Sequence, residues 1–403
     1  MNYRKLTIAI TSLALFGSLL TGIVDAVGPQ TQPAVTGDIA NVLNVTPATS
    51  AVSNSYMIAE GKLYSGRPGD LRLVATPVDV MVGAVAADPA NLKTLYVGAL
   101  DSLTLYRTTD HGSTWSRFVL SDEAGSITTL AYDSAEKLLY AGTQNDGIFR
   151  LRDVGSTLTP GGHQALDERI TDLAVDSTGK GLVFITTEQG NLYRGDNFGL
   201  NWVPVTTLGT SAIAVEIANT LPATVYVGTA DRGLLASADG VEWTTVNHGL
   251  GLLPGSRLTV NDVAVDPAQP NVLYVATSYL YGSTSVTMSP IGISMSSDKG
   301  AEWSAVATKT DAAIAKLLPF SGNTGSVYAV AMNDRTAQPY GNAPALAADA
   351  ATTTAPAAST NVAAWVIAGL AALSLVAAVT LDLRRSRKPA TTPIFSGVAL
   401  RSR

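Results

Sequence analysis

The 403-residue chain has no cysteine, which removes disulfide frameworks, thiolate metal sites and cysteine nucleophiles together. Charge is scarce too, at 14% Asp, Glu, Lys and Arg, where average soluble chains carry about 25%. The three histidines, His111, His163 and His248, lie in turn-like segments far apart, without metal-ligand spacing. G-x-x-x-x-G-K-[ST], G-x-S-x-G and H-E-x-x-H are all absent, so phosphate-cradling loops, nucleophile elbows and zinc-protease helices have no motif to rest on. No metal or cofactor is expected.

The charge that is present is divided. Residues 27–360 hold 18 basic and 30 acidic residues, net −12, within an overall −6. Residues 361–403 hold six basic and one acidic, net +5. An acidic middle excludes a nucleic-acid binder, which would carry a basic stripe.

Both ends read as membrane signals. Arg4 and Lys5 precede an uncharged run over 6–24, and Val24-Asp25-Ala26 resembles a cleavage site, so 1–26 is expected to be a secretory signal peptide, the alternative being an uncleaved anchor, since 19 residues can just span a bilayer. Residues 362–381 carry no charge, and Asp382 closes the run before Arg384, Arg385, Arg387 and Lys388. Twenty helical residues span about 30 Å, the thickness of the hydrocarbon core. Basic residues stay on the cytoplasmic side, which predicts a single-pass helix over 361–382, a cytoplasmic tail over 383–403 and the middle of the chain outside the cytoplasm. Residues 27–54 read as a leader. Residues 336–360, with ten Ala, five Thr and three Pro, read as an extended linker too poor in large apolar residues to build a core.

Internal repetition decides the fold. Five segments begin at 82, 127, 170, 211 and 260. Each has a short apolar strand, a turn such as Asp88-Pro89 or Asp266-Pro267 and a Tyr- or Val-rich strand (Leu95–Ala99, Leu138–Thr143, residues 225–229 and 273–277), and in all but the segment at 127 a third strand leads to a tight turn with Trp. Spacings of 45, 43, 41 and 49 residues suit four-stranded propeller blades. Only two strands are evident in the last unit, 312–320 and 326–332, and residues 61–74 align with the third and fourth strands of a blade. The expectation is an all-β propeller over 55–335, closed by a composite N-/C-terminal blade. It has six blades, or seven if 144–168 conceals two units.

The turns follow S/T-x-D-x-G-x-x-W: Asp110-Gly112-Trp115, Asp239-Gly240-Trp243, Asp298-Gly300-Trp303 and, one residue looser, Asp196-Gly199-Trp202. This pattern resembles the Asp-box of BNR-repeat proteins, which include sialidases, sortilin-type receptors and a photosystem II assembly factor. A structural role is expected, since an Asp in a hairpin accepts backbone N–H bonds, Gly takes φ > 0 and Trp packs beneath. The sialidase arginine cluster and the F/Y-R-I-P element that the resemblance would bring are missing. Asp172 and Asp262 occupy equivalent positions on innermost strands and are candidates to pair across the central channel, as acid and base or around calcium. Tyr279 and Tyr281 lie in an insertion, 278–290, and are the other candidate ligand contacts. The Gly161-Gly162-His163 segment of the 153–168 loop is a further candidate. The leading reading is a non-enzymatic binding or scaffold module for a protein partner or surface glycan. The alternatives are a glycan-active hydrolase and an assembly factor for a membrane complex.

Overall fold

The structure, a computed structural model, describes residues 55–332 apart from 68–69, 78, 177–178, 252, 254–255, 283–286, 309 and 320–324, together with the backbone of strands Val42–Pro47 and Ala337–Gly341. The signal peptide, transmembrane helix and tail expected at 1–26, 361–382 and 383–403 lie outside the described residues, as do most of the leader and linker. Among the described residues no helix is long and apolar enough to cross a membrane.

Every sheet is an antiparallel meander whose strands pair in sequence order. The innermost strands are Val42–Pro47, Val82–Ala87, Ile127–Asp133, Ile170–Val175, Ala212–Ala218, Arg257–Asp266 and Ile314–Pro319. Neighbouring innermost strands touch around a ring, and Val42–Pro47 closes it by contacting both Val82–Ala87 and Ile314–Pro319. This is a β-propeller. Among the described residues it comprises six four-stranded sheets and one three-stranded sheet.

Closure departs from the composite blade expected from sequence. Val42–Pro47, inside the Thr- and Pro-containing leader, pairs with Ser55–Ala59. Ala337–Gly341, at the start of the Ala-rich linker, pairs with Ser326–Ala331. Each terminal sheet therefore recruits its own further strand, and the two sheets stay separate. Residues 144–168 do not hide an additional blade either. They supply Ile148–Asp153 and Leu158–Gln164, the third and fourth strands of one sheet.

The repeated Tyr–x–Gly of the second strands is the contact between blades. Tyr96, Tyr140, Tyr226 and Tyr274 are fully buried, and each hydroxyl reaches the following blade. Tyr140 donates to Phe198 O (3.0 Å), Tyr226 donates to Lys299 O (3.0 Å), and Tyr274 accepts from Gly325 N (2.8 Å). Phe184 holds the same place and meets Trp243 edge-on, with ring centroids 6.4 Å apart. Two residues on, Gly98 and Gly142 lie so close to the next innermost strand that a Cβ would fall 2.4 Å from Ile127 Cγ2 or 2.8 Å from Ile170 Cγ2. A larger residue there would push adjacent blades apart.

The Asp–Gly–Trp turns lie at the same end of the blades as the first hairpins. Backbone bonds join the two, from His111 N to Lys93 O and from Lys299 N to Asn271 O. Asp110 accepts from Thr114 N at 2.8 Å, Asp239 from Val241 N at 2.8 Å and Glu242 N at 3.0 Å, and Asp298 from Glu302 N at 3.0 Å. Gly112, Gly240 and Gly300 have φ of 90°, 75° and 90°. Trp115 donates to Ala75 O and Trp303 to Val246 O, each reaching back to the preceding blade. The looser turn differs. Asn197, Phe198 and Gly199 all have positive φ, the Asp196 carboxylate pairs with Arg194 at 3.0 Å, and Trp202 donates to Gly199 O.

Candidate functional site

Asp172, Asp262 and Lys316 occupy one register position on three innermost strands. Each lies two residues past a residue flanking a β-bulge, namely Ile170, Val260 and Ile314. The bulge re-aims the following side chain, here into the channel. Lys316 Nζ stands 3.1 Å from Asp172 Oδ1 and 3.1 Å from Asp262 Oδ1. The remaining oxygens are also engaged: Asp172 Oδ2 accepts from Val215 N at 3.2 Å and Asp262 Oδ2 from Leu317 N at 2.7 Å. Ala214 fills the same register position on the strand between the two aspartates and is buried in the apolar core.

Above this floor, toward the end carrying the Asp–Gly–Trp turns, the channel opens as a bowl of about 420 Å³. Pro89, Tyr132, Ser134, Asn219 and Pro319 form its rim. Four carboxyl groups, from Asp133, Asp172, Glu216 and Asp262, line it against the single ammonium of Lys316. Glu216 stands two residues beyond Ala214 on Ala212–Ala218, one pleat above the floor. Its carboxyl makes no hydrogen bond with any described residue. Burial pushes Glu216 up to about 8, helped by the charges of Asp172 and Asp262 against that of Lys316. Burial also raises Asp262, to about 6, with Lys316 opposing and Asp172 adding. For Lys316, burial alone would lower the ammonium, but the two aspartates outweigh it and hold the group above its ordinary range.

The structure thus brings Asp172 and Asp262 to one place, with an ammonium between them where a shared proton or calcium ion would have to sit. No cluster suited to a metal occurs among the described residues. Tyr279 and Tyr281 lie at the opposite end of the propeller. The insertion lengthens a hairpin, Gln269–Tyr281 with Thr287–Ser296. The two rings are 5.8 Å apart, the Tyr279 hydroxyl donates to Gly251 O, and Tyr281 and Met288 are exposed. His163 is on a strand rather than in a flexible loop, stacked on Phe149 with centroids 4.1 Å apart and hydrogen-bonded to Asp146 O. His111 sits in its Asp–Gly–Trp turn at φ 60°, and His248 pairs with Glu302 on the surface.

Sequence reasoning missed Glu216 and Lys316. Both are single charges in otherwise apolar innermost strands, and aligning Ile314-Ala315-Lys316 with Ile170-Thr171-Asp172 and Val260-Asn261-Asp262 would have exposed the lysine. It also missed Asp153, which replaces the Asp–Gly–Trp turn in the blade lacking one. Asp153 accepts from Arg107 Nε at 2.8 Å, from Gly155 N at 2.7 Å and from the Tyr96 hydroxyl. Burial raises its pKa, but these bonds outweigh it and hold the carboxyl below its usual range.

No family model matches the sequence, and no curated protein matches it. The fold is similar to that of the GH74 xyloglucanase from Xanthomonas campestris (TM-score 0.55, 19% identity, 74% of this chain and 52% of that one). It is equally similar to YCF48 in its structure bound to D1 peptide (TM-score 0.55, 16% identity, 77% and 96%). An ancestral GH74 enzyme also resembles it (TM-score 0.51, 15% identity, 74% and 44%). The chain spans about half the length of the xyloglucanase it matches. At these identities the likeness is one of fold.

Proposed function

We propose that this chain is a non-enzymatic binding or scaffold module. In this reading it is held at the outer face of a membrane by its C-terminal apolar segment, and it engages a protein partner or surface glycan through the propeller face that bears the bowl. The observation that carries the proposal is the Lys316 ammonium between Asp172 and Asp262. It neutralises the two carboxylates that would otherwise be the natural acid and base. The likeness to YCF48, of which 96% is covered, supports a single propeller taking a peptide, and a role in assembling a membrane complex fits within the same reading. The Asp-box resemblance of the turns supports a structural role for them, with binding left to loops and channel. The Tyr281 hairpin offers a second contact surface at the opposite end.

One observation favours the hydrolase alternative: Glu216, with a pKa near 8, is protonated at neutral pH as a general acid must be. The test is to purify the full-length chain in detergent, assay xyloglucan and a glycan panel for released reducing ends, and identify cross-linked partners in parallel. Partner cross-links without sugar release support the binding reading. Sugar release lost in Glu216→Gln overturns it.

A further inference from the structure

We infer that a cleft on the flank of the propeller, beside Arg150, binds a carboxylate, presented as an acidic side chain of a partner or as a small free acid. The inference goes beyond the reading above and does not depend on what the bowl binds. It starts from a repeated arginine. In the third strands Thr104–Thr108, Ile148–Asp153 and Leu192–Asp196, Arg107, Arg150 and Arg194 stand opposite Tyr96, Tyr140 and Phe184 of the second strands, so all three hold one register position. Two of them have a carboxylate. Asp153 of the following blade accepts from Arg107 Nε at 2.8 Å, and Asp196 accepts from Arg194 Nη2 at 3.0 Å. Arg150 pairs with no carboxylate among the described residues. Its Nη1 donates to Gly161 O at 2.8 Å, and the guanidinium stands beside the Tyr140 hydroxyl, which burial keeps protonated. Arg150 Nε is buried without a hydrogen-bond partner. Arg194 Nε shares that condition, but Asp196 neutralises its guanidinium.

The cause lies in the blade that follows Arg150. Its turn is the looser one, where Asp196 pairs within its own strand with Arg194 and Phe198 O is taken by Tyr140. A cavity of about 80 Å³ is left between the blades, lined by Ile148, Arg150, Gly162 and His163 on one side and by Leu200 and Trp202 on the other. One water needs about 10–15 Å³ of such space, so a carboxylate with its attached methylene fits. Leu158–Gln164 is the outermost strand of its sheet, which places the opening on the circumference. A Cβ on Gly162 would lie 3.8 Å from Leu200 Cδ2, so a long side chain there would plug the gap. His163 adds no free charge, because its Nε2 is engaged by Asp146. The cleft therefore offers one guanidinium between apolar walls. A single negative charge matches it, and two carboxylate oxygens suit the planar fork of donors. Arg107 with Asp153 shows the same pairing completed within the chain.

The test is NMR of the full-length chain in detergent, labelled with ¹⁵N-arginine and titrated with sodium propionate, N-acetyl-glutamic acid methylamide, N-acetyl-glutamine methylamide and sodium sulfate. The expected result is a saturable shift of one arginine Nε–Hε signal with both carboxylates in the millimolar range, and none with the glutamine amide. That signal should be the one missing from Arg150→Lys. Tighter binding of the glutamic acid derivative supports the site as one for an acidic side chain, and tighter binding of propionate supports it as one for a free acid. Leu200→Glu, at a position 49% exposed, places a carboxylate at the cleft within the chain, as Asp153 does for Arg107. It should weaken both titrations at least about tenfold without lowering Tm. This arm leaves Arg150 unaltered and decides the matter even if Arg150→Lys fails to fold. No saturable shift, sulfate binding as tight as either carboxylate or tighter, or an unchanged titration in Leu200→Glu would each overturn the inference. The reading of the bowl rests on its own test and stands whichever way this one falls.

Discussion

Lys316 and Asp172 are separated by 144 residues, yet their Nζ and Oδ1 atoms lie 3.1 Å apart across the propeller axis. The pair ties the last sheet to one three sheets earlier, and the same ammonium ties it to its neighbour through Asp262. Removing the ammonium leaves two carboxylates facing each other, Asp262 almost wholly buried. Lys316→Met should therefore destabilise the fold by about 1–3 kcal/mol, below the range for fully buried pairs because the ammonium is one-third exposed. The sign with pH follows. Without Lys316 the buried Asp262 binds a proton still more readily in the folded state, so the penalty should be largest above pH 6 and shrink on acidification. Urea unfolding at pH 5 and pH 8 measures it.

Glu216 gives a second pH signature. Its folded pKa of about 8 exceeds the unfolded value of 4.5, so its contribution to stability is fully present below 4.5 and lost as pH rises to about 8. Glu216→Gln should flatten this slope and stabilise the chain by about 1–3 kcal/mol at pH 8, discounted because the side chain lines an open bowl. At pH 5 the variant and the unaltered chain should unfold at nearly the same denaturant concentration.

Asp153 is the only acceptor drawn on by both Arg107 Nε and the Tyr96 hydroxyl among the described residues. Asp153→Ala strands a buried guanidinium and should cost about 3–5 kcal/mol. Asp153→Asn keeps one acceptor oxygen and should cost less. Thermal unfolding of both variants would rank them.

The Asp–Gly–Trp turns should behave as structure. Asp239→Ala removes an acceptor for Val241 N, Glu242 N and the Ser237 hydroxyl, so Tm should fall while partner capture is unchanged. Gly240→Ala should be worse, because φ is +75° and the new Cβ would lie 2.4 Å from Phe184 Cζ on the preceding blade. These turn carboxylates have the opposite pH sign to Glu216. Hydrogen bonds depress Asp110 to about 2, and its contribution is present above 3.8 and lost as pH falls toward 2.

Much of this architecture is legible in the sequence because blades repeat. The Tyr of Leu95-Tyr96-Val97-Gly98 and its counterparts recur because each must reach the next blade, and the Gly recurs because that blade comes too close for a side chain. The ring's closure is harder to read. Val42–Pro47 and Ala337–Gly341 complete terminal sheets from segments whose composition looks like linker, and their role is set by a sheet edge that only the folded chain presents. The bowl is half legible. Asp172 and Asp262 stand out as repeated acids, but Lys316 and Glu216 occur once each, on strands otherwise made for a core. What joins them is the ring, which brings residues from four separate blades to one axis.

The central claim is that the bowl-bearing face binds a partner and catalyses nothing. Lys93, Lys137, Lys180 and Lys299 lie in the turns of that face. Lysine-directed cross-linking of the full-length chain in the cells that produce it, read by mass spectrometry, tests the claim most directly. The account predicts cross-links from these lysines to one recurrent protein partner or to its glycan-bearing carrier. Cross-links confined to this chain itself, alongside sugar release that depends on Glu216, would contradict it.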